Sequence, residues 1–271
     1  MSFWGERMLK LKIEEAADEV RAAHNLKGPP INVVKLAEDE GIVLAPSSDY
    51  GPEFQGRIEF RRDKQRFILF YPTRVDGTLS PRQRFSVGHE LAHYFLEAHR
   101  EALMSGTAHN STPGFICKED FEREADEFAA SLMIPLDFMD RRLGRRDFLD
   151  LKAVLALADE CETSSQCAAI RYVTFTGEAC SVLLSCKGKI NYSIVSDDSR
   201  ARGFTYIPRI PPRSVITAAA AEPKIIKERS CDSSEWFDDR WSDPRAHEES
   251  YGLGYGDFVL TLLSLEVGGK K

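Results

Sequence analysis

Long apolar runs are missing from this 271-residue chain. No stretch approaches the ~18 consecutive apolar residues that a membrane-spanning helix needs. The opening residues, MSFWGERMLKLKIEEAADEV, mix Glu, Lys and Arg where a secretory signal requires an unbroken apolar core. The expectation is a cytoplasmic protein. Cysteine is sparse: six residues, at 117, 161, 167, 180, 186 and 231, with no Cys-x-x-Cys pair. That excludes a disulfide-framed secreted scaffold and predicts free thiols. Positive charge is not in excess either. Lys+Arg number 36 against 43 Asp+Glu, a formal charge of −7, which argues against coating nucleic acid with the whole surface. Short-period repeats and low-complexity tracts are absent. What remains is an ordinary globular composition, 42% hydrophobic and 29% charged, long enough for one large or two modest domains without disulfides or structural metals.

Local patterning fills in the elements. Leu9, Ile13, Ala16, Val20 and Ala23 recur at helical spacing, and Gly28-Pro29-Pro30 ends that helix. INVVKLAEDEG predicts a short helix closed by Gly41, followed by an apolar strand Ile42 to Leu44. Arg57 to Phe60 and Arg66 to Tyr71 are two β-prone runs around a charged turn, a hairpin pattern. Ser80-Pro81-Arg82-Gln83 is a capping-box start for a helix running to about His99. Residues 100 to 117 have little periodicity and predict a loop, and a helix follows from about Lys118 to Ile134, stopped by Pro135. Residues 137 to 175 are helical in pattern. After Gly177 short β-like runs take over: Ser181 to Ser185, Ile190 to Val195, Phe204 to Ile207 and Phe258 to Val267.

The capped helix contains His89-Glu90-Leu91-Ala92-His93. Two histidines four apart share one helical face, so both imidazoles can reach one metal ion, with Glu90 set to take a proton from its water. Chance produces such a pattern roughly 0.01 times in a chain of this composition. A hydrolytic zinc site commonly has a third protein ligand. The second helix, KEDFEREADEFAASLMIP, supplies candidates. Phe121, Ala125, Phe128 and Leu132 form its apolar stripe, Glu122 and Glu124 flank that stripe symmetrically, and Glu127 lies farther out. Periodicity does not choose between Glu122 and Glu124.

His89-Glu-Leu-Ala-His93 followed by Glu124-Ala-Asp-Glu-Phe-Ala-Ala-Ser-Leu-Met-Ile-Pro135 resembles the ImmA/IrrE family of zinc metallopeptidases, whose second motif reads Glu-Ala-Asn/Asp-x-Phe-Ala and ends in Leu-Met-Pro. The likeness is strong over about residues 30 to 135, moderate to 175 and absent beyond. It implies one Zn2+ held by His89, His93 and Glu124, with Glu90 as general base. It also implies a zincin-like peptidase domain over 1–136 with a small twisted sheet. Patterning adds a helical, helix-turn-helix-like extension over 137–175 and, where strand periodicity takes over, a small β-rich C-terminal domain over 176–271, an α+β architecture as a whole; sensing or partner docking is the family-level expectation for that last domain. The implied substrate is a helix-turn-helix transcriptional repressor, whose cleavage switches on stress, mobile-element or defence genes. Ile134 and Asp126 depart from the commonest family residues without touching the catalytic set.

Four further readings attach to single features. Cys117, seven residues before Glu124, is a candidate inhibitory zinc ligand, since a thiolate on a loop can occupy the water position. Tyr50, Tyr71, Tyr94 and His109 are candidate oxyanion donors. The Arg66 to Tyr71 run is a candidate edge strand for an extended substrate. Basic residues concentrate in 57–84 and 141–146, including Arg141, Arg142, Arg145 and Arg146, which marks a candidate nucleic-acid activator site. The leading reading is therefore a cytoplasmic zinc endopeptidase. Its rival is a non-catalytic zinc-fold regulator that sequesters a repressor or senses a ligand. A direct DNA-binding role is the weakest, because the segment SSQCAAIRYV offers only Gln166 and Arg171 as long polar readers.

Overall fold

The computed structural model describes residues 3–51, 54–106, 120–143, 150–237 and 245–266. They form an α+β protein whose chain divides into two compact units, Met1–Asp140 with Asp159–Ser164, and Arg141–Ala158 with Ser165–Lys271. The expected three-part division at 136 and 175 differs from this one. Most of the helical stretch belongs with the β-rich unit, because its apolar faces are what cover that unit's sheet.

In the first unit α1 (Phe3–Ala23) precedes α2 (Val33–Asp39), which Asn32 opens by accepting the Lys35 N–H at 3.0 Å. Three strands follow: β1 (Val43–Ser47), β2 (Arg57–Arg61) and β3 (Arg66–Pro72). The hairpin β2–β3 is antiparallel and β1 runs parallel to β3, giving the order β1-β3-β2. The strand expected to sit at the edge, Arg66 to Tyr71, is therefore central. Parallel pairing of β1 covers its far side, so β1 and β2 are the two edges of this sheet.

Next come α3 (Pro81–Phe95), α4 (Glu97–Ser105), α5 (Asp120–Met133) and α6 (Leu136–Leu143). The capping box at the start of α3 is formed in full: Gln83 N–H donates to Ser80 Oγ at 3.3 Å, and Ser80 N–H to Gln83 Oε1 at 2.7 Å. The helix stops at Phe95, not His99. Leu96 takes an extended conformation (φ −74°, ψ 118°) and α4 restarts the chain, ending at left-handed Gly106. Residues 100–105, expected as loop, are thus helical. Helix α3 is buried along Phe85 to His93 and packs on α5, whose other side meets α1. Leu91, Phe128, Leu132 and Leu69 are fully buried there, each worth about 1.5–3 kcal/mol of burial. Polar groups within this packing are paired: Ser131 Oγ donates to Glu14 Oε2 at 2.7 Å, and Arg21 Nη1 to the Ser131 carbonyl at 2.8 Å.

The second unit contains α7 (Leu151–Glu160), α8 (Ser165–Phe175), β4 (Cys180–Cys186), β5 (Lys189–Val195), α9 (Asp197–Ala201), α10 (Ile216–Ala221), β6 (Ile226–Asp232), β7 (Arg245–Gly252) and β8 (Phe258–Glu266). Its strands form an antiparallel sheet in the order β5-β4-β8-β7-β6. The expected strand at Phe204 to Ile207 is irregular chain: Pro208, Pro211 and Pro212 cannot donate to a ladder, and Phe204 and Ile207 instead plug a core with Leu183, Trp236 and Leu263. Strands β6 and β7 were not expected, because IKERSCD and RAHEESYG are too charged to read as strands. Their charges are matched inside the fold. Fully buried Glu248 accepts from Ser214 Oγ (2.6 Å), Val215 N–H (3.0 Å), Arg229 Nε (2.7 Å) and Trp236 Nε1 (3.2 Å). Among the described cysteines, 161, 167, 180, 186 and 231 are all free thiols, as expected. Among the described residues no helix is long and apolar enough to cross a membrane.

Candidate metal centre

Helix α3 carries His89 and His93 on the face it turns toward α5, and α5 answers with Glu122. His89 Nε2 and His93 Nε2 lie 3.3 Å apart. Glu122 Oε2 is 3.2 Å from the first and Oε1 is 3.5 Å from the second. All three residues are buried, at 0%, 1% and 3% exposure. A tetrahedral ion with ligand bonds of about 2.0–2.1 Å spaces its donors about 3.3 Å apart. The two imidazole nitrogens and the two Glu122 oxygens stand near that separation, and two imidazoles with one carboxylate are the donor set of a hydrolytic zinc site.

The atoms around the triad fix its orientation. His89 Nδ1 is 2.8 Å from Asp126 Oδ1, so with Nε2 turned to a cation the Nδ1–H donates to that carboxylate. Glu90 is fully buried, and its Oε2 accepts the Ile58 N–H at 2.8 Å from the free edge of β2. Gly56 makes this approach feasible. A methyl group at that position would fall 2.9 Å from Glu90 Cγ and 3.0 Å from Oε1. Replacing Gly56 with Ala is therefore expected to push the Glu90 carboxylate out of place and lower any hydrolytic rate by about 10- to 100-fold, since misplacement of a reacting group by about 1 Å costs up to that much. Metal content should stay at the wild-type level. Paired rate and metal measurements check this, and unchanged turnover would show that the position of Glu90 is not critical.

The sequence-expected residues are distributed as follows. His89, Glu90 and His93 are together. Glu124, the third ligand implied by resemblance, is not beside them. Its Oε2 lies 3.1 Å from His99 Nε2, while Glu122, one half-turn earlier, reaches both histidines. Phe121 stacks on His99 (ring centroids 4.1 Å apart, 17° between planes), and in the packing of α5 on α3 Glu122 is buried while Glu124 is partly exposed. The Tyr94 hydroxyl donates to Glu40 (2.8 Å) and the Tyr50 hydroxyl to the Ala45 carbonyl (3.2 Å), so both are committed away from the triad. Burial, then the Glu40 hydrogen bond, pushes the Tyr94 phenol up to about 12. Tyr71 is buried, and desolvation with the nearby Glu38 charge raises its phenol too. Cys117, His109, Arg145 and Arg146 lie outside the described residues. Several basic residues of 57–84 hold the fold together: Arg62 caps the end of α4 through the Met104 and Ser105 carbonyls, and Arg84 binds the Ile31 carbonyl (2.6 Å) and Glu162 (3.2 Å).

Residues 60–172 match the family model of the IrrE N-terminal-like domain, of the M78 peptidases. The match spans less than half of the chain. Among solved structures, a Mycobacterium tuberculosis transcriptional regulator has a similar fold, with a TM-score of 0.66 at 15% identity, covering 94% of this chain and 76% of that one. No curated protein matches the chain by sequence.

Three buried carboxylates, Glu90, Glu122 and Asp126, make this centre attract cations. Burial by itself would lower the basicity of His89. Hydrogen bonds to Asp126 and Glu122, with the charges of Asp126 and Glu90, outweigh it and raise the imidazole to about 10. In the metal-free protein His89 is thus an imidazolium, whose stabilising contribution is complete below the ordinary value of 6.5 and is lost as pH rises through about 10. A divalent cation must displace that proton. Metal binding at pH 7 is therefore expected to release about one proton and to tighten as pH rises. Calorimetry in buffers of different ionisation enthalpy reads the number, and zero protons released would contradict this picture.

Asp126 was recognisable as a motif position, but its role was not. The available signal was its four-residue offset from Glu122, which puts both on one face of α5.

Proposed function

We propose that this chain is a zinc-dependent endopeptidase. The ligands are His89, His93 and Glu122, and Glu90 is the general base. The observation that carries the reading is the convergence of His89 Nε2, His93 Nε2 and the Glu122 carboxylate, buried and at 3.2–3.5 Å from one another, beside the buried carboxylate of Glu90. When bound, a divalent cation there supplies Lewis acidity toward water and a peptide carbonyl. Glu90 takes the proton from the attacking water and returns it to the leaving amine. The N–H of Ile58 holds the carboxylate ready on the side of the β2 edge, where an extended substrate backbone can pair. Edge pairing thus passes from β3, where the sequence put it, to β2.

The substrate we propose is a helix-turn-helix transcriptional repressor. This follows the family likeness and agrees with a structural relative described as a transcriptional regulator. Co-expression with helix-turn-helix proteins of the same genome, with fragments read by mass spectrometry, tests it: fragments that disappear when zinc is chelated are expected.

The rival reading is a non-catalytic regulator. In that case intact repressor would co-purify with the chain and no fragments would form.

A further inference from the structure

His99 sits six residues after His93, so the chain reads His-Glu-x-x-His-x5-His, the spacing at which metzincins place a third histidine ligand after a glycine turn. Here the turn residue is Leu96, and His99 does something else. Its Nδ1 is 3.0 Å from Nδ1 of His93, on the side of that ring opposite the triad, and its Nε2 is 3.1 Å from Glu124 Oε2. The ring is 1% exposed and pinned against Phe121. Both of its nitrogens are therefore engaged, and neither is turned to the donor cluster.

The protons along this chain admit one consistent arrangement. A His93 that offers its Nε2 lone pair to a cation carries its proton on Nδ1. That N–H needs an acceptor, and the atom opposite is His99 Nδ1. A His99 that accepts at Nδ1 is protonated at Nε2, and that N–H donates to the Glu124 carboxylate. Both ligand histidines then end on a carboxylate: His89 directly on Asp126, His93 through His99 on Glu124.

We infer that His99 and Glu124 form a positioning pair that sets the tautomer and orientation of His93, with Glu124 outside the ligand set. The inference rests on the metal reading above and assigns the motif glutamate a different role in it.

Zinc affinity of the full chain, measured by competition with a chromophoric chelator, tests the pair, together with imidazole 15N spectra of the zinc-loaded protein. His99→Phe keeps an aromatic ring on Phe121 but removes the acceptor. Glu124→Gln, at a partly exposed side chain, keeps the shape and removes the charge. Both variants are expected to bind one zinc per chain with affinity lowered roughly 10- to 100-fold. The Nδ1–H signal of His93 should shift in both, while that of His89 on Asp126 stays. A merely structural role would lower thermal stability in chelator without moving the His93 signal. Unchanged affinity and an unchanged His93 signal in both variants would overturn the inference alone. Loss of all zinc from Glu124→Gln, with zinc retained by Glu122→Gln, would overturn it by making Glu124 a ligand. A wild-type chain that binds no zinc would overturn this inference and the metal reading together.

Discussion

Replacing Glu122 with alanine is expected to leave the purified chain without zinc, whereas the wild type retains one equivalent after dialysis. Glu122 is the only described carboxylate within 3.5 Å of both His89 Nε2 and His93 Nε2. Removing it leaves two neutral imidazoles, one donor fewer than hydrolytic sites generally use. The loss of affinity should exceed the roughly 10- to 100-fold that an outer hydrogen-bonding partner is worth. The helix itself should survive, since alanine is the best helix former and relieves a buried charge. Metal analysis beside circular dichroism separates the two effects. A folded Glu122→Ala chain that still holds one zinc would remove Glu122 from the ligand set.

Glu90→Gln separates chemistry from binding. A glutamine has the same size and an amide oxygen that can still accept the Ile58 N–H, so the geometry around β2 is preserved. What disappears is the proton acceptor. Zinc content should stay at one equivalent while cleavage of the repressor falls by about 10²- to 10⁴-fold, the usual contribution of a positioned base. If cells carrying the variant still release the target genes fully, the chain works by sequestration and the peptidase reading fails.

The first unit was largely legible in advance because its signals are local. The Ser80 capping box, the hairpin around residues 57–72 and the two long helices each depend on neighbours in sequence, and each formed near where patterning put it, although α3 stops at Phe95 short of the expected His99. What could not be read depended on contacts distant in sequence. Glu122 and Glu124 are equivalent on a helical wheel, and the tie is broken by packing of α5 on α3, which sets Asp126 on His89 and Phe121 on His99. The edge of the small sheet was misplaced for a similar reason, since strand order depends on where β1 pairs. In the second unit, β6 and β7 were hidden because alternation of apolar and polar residues fails when buried positions hold Glu248 and Glu249, which accept hydrogen bonds from Arg229 and from the Leu151 N–H. The same argument explains His99: its role becomes visible only once α4 turns back at Leu96 and brings its ring against His93.

The central claim is that α3 and α5 together hold one divalent cation. Anomalous diffraction at the zinc edge from crystals grown with zinc tests it most directly. The account predicts a single strong peak in this unit, about 2.0–2.1 Å from Nε2 of His89 and of His93 and at a similar distance from a Glu122 oxygen. A peak on Glu124, or none between the two histidines, would contradict it.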